Sequence, residues 1–137
     1  MEASPELQPI VRRLLWADVV AEVVIAFLLS GILGSPHEWL DVSALATYVA
    51  TGVFLVGGAA IAVAAWRPST SRDFVQQLGL ANVIGGAAVW TIGLVFWGRF
   101  SVEGRTLVAA IGDTLILIGI LELVALWRTN PNRNPDP

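Results

Sequence analysis

The segment LLWADVVAEVVIAFLLSGILG, residues 14–34, decides how the rest of the chain is interpreted. It is long enough and apolar enough to cross the hydrocarbon core of a bilayer, for which a helix needs about 20 residues. Two carboxylates, Asp18 and Glu22, nevertheless lie inside it, about one helical turn apart. Acids at membrane depth are costly and commonly mark function, so these two residues are the first lead to what the protein does.

The composition of the whole chain agrees with a membrane location. Of its 137 residues, 55% are hydrophobic and 14% are charged, which is more apolar and less charged than a soluble domain of this size. The net charge of −3 predicts no nucleic-acid-binding surface. Because the chain has no cysteine, disulfides, thiolate metal sites and thiol nucleophiles are excluded.

Three more apolar segments of spanning length follow the first one. The predicted helices cover residues 14–34, 44–66, 74–97 and 106–127. In lipid the backbone must satisfy its own hydrogen bonds, so these segments are predicted to be helices and not strands. The sequence therefore predicts an all-α membrane fold, a bundle of four transmembrane helices that forms a single domain over residues 1–137. The polar, proline-rich ends, 1–9 and 129–137, are predicted to be flexible.

The basic residues, all of them arginine, predict the orientation of this bundle. One side would carry Arg12, Arg13, Arg67, Arg72, Arg128 and Arg133, and the other only Arg99 and Arg105. Since positive charge accumulates on the cytoplasmic side, both termini are predicted to be cytoplasmic. The expected location is the cytoplasmic (inner) membrane of a bacterium, as a multi-pass protein.

Five polar residues inside the apolar segments form a candidate intramembrane polar site. They are Asp18, Glu22, Asn82, Asp113 and Glu122. All except Asp113 are predicted to lie at similar depths in the cytoplasmic half of the membrane. Asp113 and Glu122 are nine residues apart and point in nearly opposite directions on their helix, so one of them is expected to face a second subunit.

The three acids of the cytoplasmic half each have a structural interpretation. Asp18 is expected to pair with Arg12 or Arg13 near the headgroups. Glu22 and Glu122 lie deeper and leave two interpretations open, an interhelical clamp or a functional cation or proton site.

The two remaining polar residues, Asn82 and Asp113, are expected to have different roles. Asn82 is expected to hydrogen-bond across a helix contact as a packing residue. Asp113 favours a functional role, because no arginine is close to it in the sequence.

Small residues on the third and fourth predicted helices indicate a close helix contact. The helix-packing residues are predicted to be Gly79, Gly86 and Gly93 on the third helix and Gly112 and Gly119 on the fourth. Asn82 belongs to the same stripe as the first three glycines. We therefore expect these two helices to pack glycine to glycine.

No catalytic, cofactor-binding or metal-ligating residue is predicted. His37 is the only histidine, and it lies on the side of the membrane opposite to the inner acids, so no Ser/His/Asp constellation can form. One imidazole also makes a poor metal-ligand set. We therefore expect no cofactor and no enzymatic activity.

The order of elements, with LGLANVIGGAAVW (78–90) and the Trp-Arg end of the fourth helix, resembles small uncharacterised bacterial integral membrane proteins of four helices. That resemblance implies topology only and no functional residue. The leading expectation for function is a structural or interaction component of the lipid bilayer, as a homo-oligomer or with a membrane partner protein. The alternative is a small proton- or cation-coupled transporter or channel subunit that uses its intramembrane carboxylates.

Overall fold

The computed structural model describes residues 9–67 and 70–128. Every regular element in these two ranges is helical, which confirms the predicted all-α class. The elements are α1 (Pro9–Leu29), α2 (Pro36–Trp39), α3 (Ala44–Trp66), α4 (Arg72–Val95), a 3-10 turn (Trp97–Arg99) and α5 (Val102–Arg128). Of the ends predicted to be flexible, only Pro9 is described, and it begins α1; residues 1–8 and 129–137 lie outside the described ranges.

Three of the four long helices, α3, α4 and α5, are long and apolar enough to cross a membrane. This finding supports a multi-pass membrane protein. The helix α1 has 21 residues but differs from the other three because any 18-residue stretch of it contains four charged residues, whereas each of the others has such a stretch with at most two. The four in α1 are Arg12, Arg13, Asp18 and Glu22.

The first helix begins and ends earlier than the predicted segment 14–34. It is helical from the first described residue, Pro9, and a proline in a first helical turn loses no hydrogen bond. It ends at Leu29, and Gly31 follows with a φ of 85°, a left-handed conformation that stops a helix and favours glycine. The apolar residues after Leu29 therefore belong to a turn and not to the helix.

The third and fourth predicted segments are also shifted. The helix α4 begins at Arg72 and not at 74, because the hydroxyl of Ser71 accepts a hydrogen bond from the backbone N–H of Phe74. It ends at Val95, before the 3-10 turn. The helix α5 covers 102–128 instead of 106–127, because Ser101 Oγ accepts from the backbone N–H of Gly104 and so starts the helix earlier.

The long helices pack in an antiparallel arrangement around two separate apolar clusters. In this packing, α1 contacts both α3 and α5, and α4 packs along α5. The first cluster, at the arginine end of the bundle, consists of Val11, Leu15, Ile61, Ala65, Val75, Ala125 and Leu126. The second, at the α2 end, consists of Ile25, Leu29, Leu107, Ile111 and Leu115.

The outer surfaces of the helices are apolar as well. Large side chains exposed on them include Val23, Phe27, Val53, Val56, Ile84, Ile92, Leu117 and Ile120. Surface of this kind is stable in contact with lipid and would be unstable in contact with water. At the arginine end, Trp16 and Trp66 make an edge-to-face contact with ring centroids 6.5 Å apart, a geometry that aromatic pairs prefer. Tryptophan is enriched where a membrane protein meets the interface.

Candidate functional site

A cluster of four polar side chains lies between the two apolar clusters. We call Asp18, Glu22, Asn82 and Glu122 the acid cluster; all four side chains are buried. On α1, the two acids lie between Leu15 of the arginine-end cluster and Ile25 of the α2-end cluster. Apolar side chains therefore separate the acid cluster from both ends of the bundle.

Asn82 connects three helices at the centre of the acid cluster. Its side-chain Nδ2 donates a hydrogen bond of 2.9 Å to Oδ2 of Asp18 on α1. The same nitrogen donates a longer one, of 3.4 Å, to Oε2 of Glu122 on α5. Asp18 and Glu122 are completely buried and Asn82 is 6% exposed, so both hydrogen bonds form away from solvent.

The second oxygen of each of these two carboxyls has no partner. Oδ1 of Asp18 and Oε1 of Glu122 are both buried and accept no hydrogen bond from any residue that the structure describes. An amide nitrogen offers only two hydrogens, so Asn82 satisfies one oxygen of each acid and no more. Buried polar atoms of proteins are nearly always hydrogen-bonded, which makes two orphans in one cluster notable.

The expected ion pair between Asp18 and Arg12 or Arg13 is not formed. These arginines precede Asp18 by six and five residues, whereas side chains on the same face of a helix are three or four residues apart. Both arginines are exposed, while Asp18 points into the bundle. Asp18 therefore has an amide as its partner where a cation was expected.

No described cation balances the acid cluster. Among residues 9–67 and 70–128, the ion pairs join Arg99 to Asp41 and His37 to Glu38, both near α2. Arg72 donates a hydrogen bond of 2.8 Å to the backbone oxygen of Leu126 at the arginine end. Any negative charge in the acid cluster thus lacks an arginine within ion-pairing distance in the described part of the chain.

Glu22 lies one turn from Asp18 and faces α3. A Cβ built on Gly58 would lie 3.1 Å from Glu22 Cβ, and one built on Gly57 would lie 3.5 Å from Glu22 Oε2. These two glycines therefore form the wall against which the Glu22 side chain packs. The VGGAA segment (56–60) reads as a helix-packing motif in the sequence, but which side chain packs there depends on the arrangement of α1 and α3.

Asp113 does not belong to the acid cluster. Its carboxylate is exposed on the surface of α5, and its Oδ1 accepts a 2.9 Å hydrogen bond from Nε1 of Trp90. Glu122 is completely buried, in keeping with the opposite directions expected for these two residues. The structure thus brings four of the five candidate polar residues together and leaves Asp113 on the outer surface.

The glycines of α4 and α5 lie where these two helices touch. A Cβ on Gly86 would lie 2.7 Å from the backbone oxygen of Gly112, and one on Gly119 would lie 2.5 Å from that of Gly79. A Cβ on Gly93 would lie 2.5 Å from Val108 Cγ1. No larger residue fits at these contacts without moving one helix, and the close approach carries Asn82 toward Glu122.

The acid cluster has few ligands that it could bind. No group of three or more His, Cys, Asp or Glu side chains in the described ranges is placed to hold a metal ion. Carboxyl groups joined through an amide can instead bind protons, because a protonated carboxyl turns an orphaned oxygen into a hydrogen-bond donor. No protein-family model matches the chain, and neither a curated protein nor a solved structure was found to be similar to it.

Proposed function

We propose that this protein is a small proton-coupled membrane component, a transporter or channel subunit, whose proton-binding site is the acid cluster. One observation carries the proposal. Two completely buried carboxyls, Asp18 and Glu122, share the amide of Asn82, and each keeps one buried oxygen without a hydrogen-bond donor in the described structure. A structural clamp would be expected to supply an arginine here or to satisfy every polar atom.

Charge supports a proton as the ligand of this site. An ionised carboxylate at membrane depth costs about 2.5–3.5 kcal/mol on insertion scales, and three close together also repel one another. A proton removes the charge of the carboxyl that binds it and turns one of its oxygens from a hydrogen-bond acceptor into a donor. A metal cation would need several oxygens converging on one point, which the acid cluster does not offer.

Glu22 extends the acid cluster to the contact between α1 and α3, and we assign the exchange of protons to it. Glu22 is 7% exposed, while Asp18 and Glu122 are completely buried. It follows Asp18 by one turn on α1 and lies against the glycine wall of α3. In the proposed mechanism, Glu22 receives a proton and passes it to the pair held by Asn82.

The proposal includes a topology of four spans with both termini in the cytoplasm of a bacterium, across its inner membrane. The arrangement of α1 supports it as the fourth span, because its two acids face the bundle while Val20, Val23 and Phe27 are exposed to the surroundings. Five described arginines lie at one end of the bundle and two at the other. This difference favours the arginine end as the cytoplasmic one.

Proton flux into liposomes tests the proposal. The purified protein is reconstituted in vesicles that contain a pH-sensitive dye, and a potassium diffusion potential drives protons inward. We expect flux above that of protein-free vesicles, and a return to the protein-free rate in Glu22→Gln and Glu122→Gln. These changes remove the exchangeable proton but keep the shape of each side chain.

Asp73→Asn is the matched control for these variants. It neutralises an exposed acid in the first turn of α4, outside the acid cluster, and should keep the flux of the unchanged protein. If the unchanged protein conducts no protons, or if both Gln variants conduct as well as Asp73→Asn, the proposed function is wrong.

A structural or interaction component is the second candidate. The close glycine contacts between α4 and α5 favour it, because they make a rigid pair whose outer surface is apolar and available to other helices. In that case, Glu22→Gln and Glu122→Gln would change the unfolding free energy or the oligomeric state and leave proton flux at the protein-free level throughout.

A further inference from the structure

Asp113 presents a carboxylate on the outer surface of a helix that is long enough to span a membrane. It lies near the middle of the 27 residues of α5, far from both helix ends. Its neighbours on the exposed face are apolar, with Ala110 one turn before it and Leu117 and Ile120 in the two turns after it. An acid in such a position would meet hydrocarbon, where it is unstable without a partner.

Trp90 donates a hydrogen bond to only one of the two oxygens of this carboxylate. The indole ring lies over Gly112, where a Cβ would come within 2.6 Å of Trp90 Cδ1, and this position directs Nε1 to Oδ1 of Asp113. Oδ2 accepts no hydrogen bond from any described residue. The indole thus orients the carboxylate and leaves one oxygen facing outward.

A second copy of the chain has no cation to offer at this depth. The chain has no lysine, and its described arginines lie at or near helix ends. The nearest in sequence, Arg105, donates a hydrogen bond to the backbone oxygen of Trp97 and lies over the Trp97 ring. In a two-fold dimer through this face, Asp113 would meet Asp113 of the other copy, acid against acid.

We propose that the face of α5 around Asp113 binds a transmembrane helix of a different protein, one that carries a lysine or arginine near its midpoint. Charge complementarity selects this partner, because a mid-helix cation would pair with the outward oxygen and remove both charges from contact with lipid. Ala110, the small residue one turn away, allows the partner backbone to approach closely. The proposal does not depend on proton transport by the acid cluster.

Energy transfer in neutral phosphatidylcholine vesicles tests the proposal. The chain has no cysteine, so Gly98→Cys supplies one donor label at a position where a side chain would meet no other atom within 4 Å. The probes are polyleucine helices with an acceptor at one end and a single central lysine, or leucine in its place. We expect transfer above the random level with the lysine helix only, and its loss when Asp113→Asn is added to the labelled protein.

Asparagine at 113 can still accept the hydrogen bond of Trp90, so this variant keeps the local contact and removes only the charge. Equal transfer to the two helices, or unchanged transfer to the lysine helix in the Asp113→Asn variant, would overturn the proposal. So would transfer between donor-labelled and acceptor-labelled copies of the chain that Asp113→Asn abolishes, because the occupant would then be a second copy.

Discussion

The side-chain nitrogen of Asn82 lies 2.9 Å from Oδ2 of Asp18, and this contact joins α4 to α1 through two buried side chains. The same nitrogen reaches Glu122 on α5 at 3.4 Å, so one amide connects three helices. The rest of the acid cluster depends on this connection, because no other described donor contacts the two carboxyls.

Replacing Asn82 by alanine should destabilise the bundle. The change leaves both carboxyls without a donor in the described structure, and an unsatisfied buried polar group costs about 1–3 kcal/mol. The measurement is the unfolding free energy in mixed micelles titrated with a denaturing detergent. Gln77→Ala, an amide on the exposed side of the same helix, is the control and should change it by less than about 0.5 kcal/mol. Equal losses in the two variants would contradict the central position of Asn82.

Two adjacent glycines of α4 should respond in opposite directions to alanine. A Cβ on Gly86 would lie 2.7 Å from the backbone oxygen of Gly112, so Gly86→Ala forces α4 and α5 apart at a cost of about 1–3 kcal/mol. A Cβ on Gly85 meets its nearest atom, Leu115 Cδ1, at 3.9 Å. Gly85→Ala should therefore be neutral or stabilising by up to about 1 kcal/mol, since alanine favours the helix. The same unfolding titration distinguishes them, and a loss at 85 as large as at 86 would be inconsistent with this helix contact.

Enlarging the glycine wall of α3 should affect stability and proton flux together. Gly58→Val adds methyl groups where a Cβ alone would already lie 3.1 Å from Glu22 Cβ, so α1 and α3 must separate at a cost of about 1–3 kcal/mol. Flux in the liposome assay should also fall, because a displaced α1 changes the positions of Asp18 and Glu22 relative to Asn82 and Glu122. Gly52→Val, on the same helix with no atom within 4 Å of its Cβ, is the control for both measurements. If proton flux falls equally in the two variants, the contact between Gly58 and Glu22 has no part in the proton flux.

Reporters fused to the two ends of the chain should lie in the same compartment. The antiparallel packing of four long helices and the excess of arginine at one end predict that both are cytoplasmic. Protease treatment of inside-out membrane vesicles should remove both reporters, and the same treatment of right-side-out vesicles should remove neither. Removal of one reporter in each preparation would exclude α1 as the fourth span and with it the membrane depth assigned to Asp18.

Hydropathy and helical spacing predict the long helices and the depth of the polar residues, but not which of them touch. The spacing of Gly79, Asn82 and Gly86 is sufficient to place Asn82 on the face that meets α5. The separation of Asp113 and Glu122 by nine positions is sufficient to direct them oppositely. These relations are local to one helix. For the same reason, helical spacing could have excluded the expected pairing of Asp18 with Arg12 or Arg13.

The contacts between helices required the structure. The wall that Gly57 and Gly58 form for Glu22 depends on how α1 and α3 are aligned. The sequence pattern of one helix does not determine its alignment with another helix. The observed helix ends differ from the predicted ones because hydropathy alone defined the predicted segments. The caps at Ser71 and Ser101 and the turn at Gly31 set the real ends, and they do not coincide with the limits of the apolar sequence.

Infrared spectroscopy of the protein in lipid at neutral pH tests most directly whether the acid cluster holds a proton. The sample is compared with a double variant, Asp18→Asn with Glu122→Gln, that keeps both shapes and removes both acids. We expect the carbonyl stretching band of a protonated carboxylic acid in the unchanged protein and a weaker band, or none, in the double variant. A spectrum of the unchanged protein that contains carboxylate bands only, or a protonated band of the same intensity in the double variant, would contradict this expectation.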